Sequence, residues 1–340
     1  MRESELSAGE TPTSSEFALI ERIIMRLGES AARDILVPPG DDSAVWVPGG
    51  GAVVATIDSM TEGTHWRPHL SSMTDVGWRA VATSVSDLAA MGATPEVLLV
   101  AAVLGPAVTL NDMDAFIDGM AEACRAHNVH VAGGDIVRGR ATAFSITALG
   151  SARLDRAQRA IVMRRDAAHS GDAVAVSGTP GAAGAGFRAL ERHLTGLPAD
   201  EVIAALLRPH ARIDLGFNAV NLGVPCAIDI SDGLVQDVRH IAERSAVGIE
   251  IDLDALPINQ SAIALFGLDT ARDLALAAGD DYELILTGRQ QIIEALEGVT
   301  IIGRVLDQHP GEVVVRQRDG APYPLPTGWD QLRAWPLAQH

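Results

Sequence analysis

The chain has 340 residues, 47% hydrophobic, 21% charged and 4% aromatic, and 26 basic against 44 acidic residues give it a formal net charge of -18. Its length suggests two globular domains, each able to bury its own core, and its acidity argues against nucleic acid or an anionic membrane surface as a partner. Every basic residue is arginine, which removes Schiff-base chemistry, the P-loop lysine and the protein-kinase strand lysine together.

Residues 1–15 are polar and acidic. They are expected to form a disordered leader and have neither the charged n-region nor the apolar h-region of a targeting peptide. Thr13 and Glu16 have capping-box spacing, and Phe17, Leu19, Ile20, Ile23, Ile24 and Leu27 line one helical face that ends near Gly28. Short β-type runs follow at 44–47 and 52–57, then a helix over 75–91 ended by Gly92 and Pro95. The apolar run 97–104 reads as a buried strand, 111–127 as a helix, and 129–132 and 142–149 as strands. The longest apolar runs fall far short of the roughly 20 residues a membrane span requires. The polar, arginine-rich stretch 152–170 is the expected linker, which divides the chain into an N-terminal domain over 16–150 and a C-terminal one over 151–340. Beyond it the pattern restarts with a strand at 173–177, a glycine-rich turn, helices to 222 and a strand at 226–230. A helix over 233–245, a strand at 249–253, a helix over 259–277 and strands at 283–287, 299–305 and 312–315 complete it. Two α/β units in tandem are the simplest description. Cys124 and Cys226 fall in separate halves, so no disulfide framework is expected and the protein is read as cytoplasmic.

The aspartates recur in one setting. An apolar β-type run leads directly into a carboxylate with small neighbours at Asp58, at Gly133-Gly134-Asp135, and at Asp229-Ile230-Ser231-Asp232-Gly233. Asp41 and Asp42 lie in a glycine turn, Asp87 in Ser86-Asp87-Leu88-Ala89-Ala90-Met91-Gly92, and Asp280 and Asp281 in Gly279-Asp280-Asp281-Tyr282-Glu283. Taken singly, each is most simply a turn or helix-cap residue. Asp87 sits late in a helical pattern, where no cap is needed. Carboxylates converging on one cleft, with no lysine to offset them, call for hard divalent cations. Mg²⁺ prefers a few carboxylate oxygens completed by phosphates, so a Mg-nucleotide is the natural guest.

Two further patterns need weighing, and one of them stays open. The turn Ser177-Gly178-Thr179-Pro180-Gly181 follows a strand and opens a helix, so its N–H groups either cradle a phosphate or form a tight connection. Cys124, His127 and His130 have metal-like spacing, but a helix end running into a strand explains it as well and no fourth ligand is obvious, so no zinc site is expected.

Jointly, Gly40-Asp41-Asp42, Thr56-Ile57-Asp58 with Gly63-Thr64-His65-Trp66, Ser86 to Pro95, Gly133-Gly134-Asp135 with Arg138-Gly139, Asp229 to Leu234 and Gly279 to Leu284 occur in the order and spacing of the thiamine-monophosphate kinase family. The resemblance spans about 16–330 of the chain. It implies a two-domain α/β fold, with α+β type sheets, like that of aminoimidazole ribonucleotide synthetase. It further implies an N-terminal sheet that pairs with its copy in a homodimer and a C-terminal domain closing over the active site. ATP and Mg²⁺ are the implied co-substrate and cofactor, and thiamine monophosphate the phosphate acceptor. Family metal positions fall on Asp42, Thr56, Ile57, Asp58, Asp87, Asp135, Asp229 and Asp232, with Ile57 offering only a backbone oxygen. Asp135, Asp229 and Asp232 are the implied catalytic residues. Nucleotide contacts fall on Gly134, Asp135, Arg165 and Ser231, with Arg164 as the alternative to Arg165. Substrate contacts fall on His65, Asp280 and Trp329. The remaining readings are another ATP-dependent synthetase of the same superfamily and a non-catalytic divalent-metal-binding protein.

Overall fold

The computed structural model describes residues 16–31, 35–37, 39 and 43–325, so the expected leader over 1–15, Asp42 and Trp329 lie outside the described residues. No helix among the described residues is long and apolar enough to cross a membrane. The chain divides into two compact units, one ending at Ile161 and the other beginning at Val162, except that Ala89–Gly92 group with the second.

The first unit contains α1 (Glu16–Leu27), β1 (Ile35–Val37), β2 (Val45–Trp46), β3 (Ala52–Thr61), α2 (Met73–Ala90), β4 (Thr94–Leu104), α3 (Leu110–His127), β5 (His130–Arg138) and β6 (Ala143–Ala152). Its four-stranded sheet has the order β3-β6-β4-β5; β4 and β5 run parallel and the other pairs antiparallel. Burial alternates strictly along β6. Phe144 and Ile146 of β6 are fully buried and Phe144 stacks on Phe116 of α3 with centroids 3.8 Å apart, so the helices cover this face. The opposite face is open, and Val53, Ile57, Leu99 and Val137 stand on it 62%, 64%, 38% and 47% exposed. Helix α3 begins where Thr109 and Asp112 form a reciprocal capping box and ends at Asn128 in the left-handed region.

The second unit contains β7 (Ala173–Ser177), α4 (Ala182–Glu191), α5 (Leu197–Leu207), α6 (Ile213–Leu222), β8 (Cys226–Asp229), α7 (Leu234–Ser245), β9 (Gly248–Asp252), α8 (Gln260–Phe266), α9 (Leu268–Ala277), β10 (Leu284–Gly288), α10 (Gln290–Ile293), β11 (Val299–Leu306) and β12 (Val313–Arg316). The sheet order is β12-β9-β11-β7-β10-β8, with only β12 and β9 parallel. Strands β7, β8 and β10 are buried at every position, which is why they read as continuous apolar runs rather than alternating ones.

Two sequence expectations are corrected. The helix over 259–277 is two helices, because Gly267 breaks the chain at φ +82, a conformation that side chains other than glycine's resist. Asp58 and Asp135 stand inside their strands rather than at strand ends. Strand β3 pairs with β6 without interruption from Ala52 to Thr61, and β5 pairs with β4 as far as Arg138, so both ladders carry the chain past the carboxylates.

Candidate functional site

In the first unit the pleat sorts the acids. Thr56 and Asp58 share the helix-covered side of β3, where the Thr56 hydroxyl donates to the carboxylate of Asp87 on α2. Ile57, between them, points to the open face. Asp135 is aligned across the sheet with Ala101, Ser145 and Ser59, and the 2.7 Å bond between the Ser59 and Ser145 hydroxyls marks that row as one face. Gly134 belongs instead to the row of Val100, Ile146 and Asp58. Asp135 and Asp58 therefore sit on opposite faces and opposite edge strands, separated by three strand spacings, roughly 14 Å. Sequence reasoning did not anticipate this separation. Among the described residues no group of three or more His, Cys, Asp or Glu side chains is placed to hold a metal ion.

His65 follows β3. Its Nδ1 accepts from the Thr61 N–H at 3.0 Å, and Arg79 of α2, itself buried, donates to its carbonyl at 2.9 Å. The ring proton therefore belongs on Nε2, which is buried without a hydrogen-bond partner among the described residues. A neutral donor poised in this way is suited to an acceptor oxygen on a ligand.

A cavity of about 780 Å³ is lined by Ile57, Leu99 and Asp135 of the sheet, by Ile20 and Ile24 of α1 and by Phe116, Ile117 and Met120 of α3. Its size and mostly apolar lining with one carboxylate, Asp135, are those of a small-molecule site. The sequence held no signal for it, because a helix face lining a cavity has the same periodicity as one filling a core.

The second unit brings together four of the predicted residues. Asp229 ends β8 and is buried; Ser231 and Asp232 follow in the turn into α7. The segment 279–284 crosses this turn, with the Asp280 N–H donating to Ser231 O at 3.0 Å, the Tyr282 N–H to Ile230 O at 2.9 Å and the Ile230 N–H to Glu283 O at 2.8 Å. Gly279 makes the crossing possible, since a Cβ there would stand 2.1 Å from Ser231 O. Asp280 and Tyr282 both adopt left-handed φ angles, +65° and +52°, and the Tyr282 hydroxyl donates to Asp280 at 2.9 Å. Strain of this kind persists only where surrounding bonds over-determine the backbone, and it clusters at ligand sites.

Carboxylates sequence reasoning did not single out support this turn. Asp237 of α7 accepts from the Ser231, Asp232 and Gly233 N–H groups at 3.0, 3.1 and 3.2 Å. Burial, reinforced by the field of Asp229 and then of Asp232, pushes it up to about 8. Glu283, buried beneath, receives the Ser177 hydroxyl and the Arg212 Nε at 2.7 Å. Arg164 is held bidentately by Asp166, whereas Arg165 is exposed and makes no ion pair among the described residues.

The glycine-rich turn resolves to the tight-connection reading. The Asp281 carboxyl group accepts from the Gly181 N–H at 2.6 Å and the Ala183 N–H at 3.0 Å, so the amides that open α4 are already occupied from within. Burial, with Glu283 and Asp280 adding to it, outweighs these two bonds and pushes Asp281 up to about 8. The folded state then keeps a proton that the unfolded chain releases near the ordinary value of 3.8, so this group's contribution to stability declines as pH rises from about 4 to about 8. The thermal midpoint of Asp281→Asn should fall less between pH 5 and pH 8 than that of the parent; equal slopes would show that Asp281 titrates normally. Cys124, His127 and His130 carry no sign of zinc chemistry: burial pushes the Cys124 thiol up to about 12, and His127 Nδ1 bonds the Ala123 carbonyl at 2.8 Å.

Residues 40–152 match the family model described as AIR synthase related protein, N-terminal domain, and residues 169–316 match the corresponding C-terminal domain. Over 335 residues the chain is 33% identical to the thiamine-monophosphate kinase of Haemophilus influenzae, covering 94% of this chain and 98% of that relative. The crystal structure of thiamine-monophosphate kinase from Stenotrophomonas maltophilia K279a is similar at a TM-score of 0.79 and 36% identity, over 91% of this chain and 98% of that one. The structure of AaThiL complexed with AMPPCP and TMP is similar at a TM-score of 0.73 and 29% identity, over 93% and 96%.

Proposed function

The chain belongs to the thiamine-monophosphate kinase family, and on that premise we propose that it transfers the γ-phosphoryl group of ATP to the phosphate of thiamine monophosphate. A bond forms from an acceptor phosphate oxygen to the γ-phosphorus, the bond from that phosphorus to the β-bridging oxygen breaks, and ADP and thiamine diphosphate leave. The observation that carries the proposal is the match along nearly the whole chain to kinases of that name, together with the ATP analogue and TMP held by one similar structure.

The nucleophile needs no strong base, because the second pKa of a phosphomonoester lies near 6 and the acceptor is largely ionised at neutral pH. The obstacle is the approach of one anion to another. Thr56, Asp58 and Asp87 form a hard oxygen donor set on one face, which fits Mg²⁺, an ion that takes one or two carboxylates and completes its shell with water and phosphate. Asp229 and Asp232 offer the same chemistry in the second unit. Mg²⁺ supplies charge neutralisation at the transferring phosphoryl group. The apolar walls of the first-unit cavity suit the adenine ring, with Asp135 among the lining residues. Arg165 is the better cation for the nucleotide phosphates, since Arg164 is committed to Asp166. The Ser231 amide is committed to Asp237, so any nucleotide contact there falls to the hydroxyl. His65 would donate from Nε2 to the substrate, while Asp280 would meet its cationic part.

We place the homodimer in the same proposal. Strands β3 and β5 are the two edges of the first-unit sheet, and the face between them is open and apolar. One Mg²⁺ cannot touch Asp58 and Asp135 of the same sheet. A second copy laid against this face and edge would bring Asp135 of one chain toward Asp58 of the other and cover the apolar side chains. Two buried free thiols suit a cytoplasmic setting. The test is to incubate the protein with Mg-ATP and thiamine monophosphate and separate the products. Thiamine diphosphate and ADP in equal amounts are expected; their absence at saturating substrates overturns the reading.

A further inference from the structure

We propose that Asp237 is the positioning residue for the Asp229-Ile230-Ser231-Asp232-Gly233 turn: its carboxylate takes up the three consecutive turn amides and so fixes the directions in which Asp232 and the Ser231 hydroxyl are presented. This rests on the kinase reading for its catalytic consequence, but its geometric half does not.

Three successive N–H groups converging on one point ahead of a helix form a concave anion-binding nest. Here the nest is filled from within. All three bonds end on a single oxygen, Oδ2 of Asp237, at 3.0, 3.1 and 3.2 Å. Asp237 is itself anchored in the first turn of α7, its own N–H donating to Gly233 O at 2.9 Å, so turn and helix close on each other. The turn is pinned on its other side by the Asp280 N–H on Ser231 O and the Tyr282 N–H on Ile230 O. With the amides and the carbonyl of Ser231 both committed, its backbone has no freedom to turn, and what remains to face a ligand is side chain. The carboxyl group of Asp237 is buried and its Oδ2 is taken up by these amides, which assigns it to holding the turn and not to binding a metal ion.

Because one oxygen does all the accepting, asparagine can replace it with its carbonyl in the Oδ2 position and keep all three bonds, whereas alanine keeps none. Hydrogen exchange on the apo protein tests the geometry without any catalysis. The amides of 231–233 should be protected in the parent and in Asp237→Asn, and should exchange at least tenfold faster in Asp237→Ala. In the kinase assay Asp237→Ala should need 10- to 100-fold more Mg²⁺ for half-maximal rate, the loss typical when a ligand's outer partner is removed, with the KM for thiamine monophosphate within about twofold. Asp237→Asn should restore the Mg²⁺ requirement to within about threefold. Unchanged exchange in Asp237→Ala overturns the proposal. So does an Asp237→Asn protein whose amides stay protected but whose Mg²⁺ requirement matches that of Asp237→Ala, since Asp237 would then act through its charge. An inactive parent protein with the predicted exchange pattern would remove the kinase reading and leave the positioning role standing.

Discussion

Asp229→Asn is expected to lower turnover by roughly 10²- to 10³-fold, the range seen when one preorganised stabiliser of transition-state charge is removed, and to leave the fold intact. Asp229 is the last residue of β8, buried and paired with Leu284 of β10. Its strand position is held by backbone bonds, and asparagine has nearly the same volume. The substitution also deletes a negative charge whose field helps push Asp237 up, so the unfolding midpoint should stay level or rise. The measurement is kcat at saturating ATP and thiamine monophosphate over a Mg²⁺ series, beside a thermal melt. Near-normal turnover once Mg²⁺ is raised would sink Asp229 as an essential ligand, and a collapsed melt would show a structural role.

How far the sequence reached can be judged from particular residues. The strands β7, β8 and β10 were legible as continuous apolar runs, and the helices α2, α3 and α7 because their apolar periodicity is long and their ends carry caps or glycine. The grouping of Asp229, Ser231, Asp232 and Asp280 was legible only as a set of motifs; nothing along the chain says that 279–284 crosses the turn before α7, because that depends on which strands neighbour β8. The placement of Asp135 on the face opposite Asp58 depends on strand order and on a one-residue bulge near Ala132 where β5 pairs with β4. A single extra residue reverses the side on which every later side chain emerges, and no local pattern announces it.

The two helix starts beside the second-unit carboxylates share a design that was also invisible in sequence. At α4 the amides go to Asp281, and at α7 the turn amides go to Asp237. Either nest, left empty, would be a phosphate site of the kind glycine-rich loops provide. Filling both with internal carboxylates removes that option and leaves acidic side chains facing outward. A chain without lysine that closes its own anion nests leaves a polyphosphate to its arginines, such as Arg165, and to the cations proposed to arrive with it, which would reconcile a net charge of -18 with nucleotide use.

The proposed homodimer makes the second large prediction. Leu99 stands in the middle of β4 on the open face, 38% exposed, in the neighbourhood of Ile57, Thr147 and Asp135. In an isolated chain a glutamate there keeps its water and should alter stability by less than about 0.5 kcal/mol. Buried against a second copy, the same carboxylate loses its hydration with no arginine or lysine among the residues flanking it, and symmetry imposes the loss twice. A desolvation penalty of several kcal/mol per ion is large enough to dissociate a standard interface, so Leu99→Glu should sediment as a monomer where the parent sediments as a dimer. If Asp135 works only beside the Asp58 of another chain, kinase activity should disappear with the dimer and the melting midpoint of the monomer should stay measurable. Leu197→Glu, on a side chain 85% exposed in the other unit, is the control and should leave both assembly and rate unchanged. A monomeric Leu99→Glu with full activity would break the link between the two chains' acids, and a dimer that tolerates the glutamate would show that the copies meet through some other face.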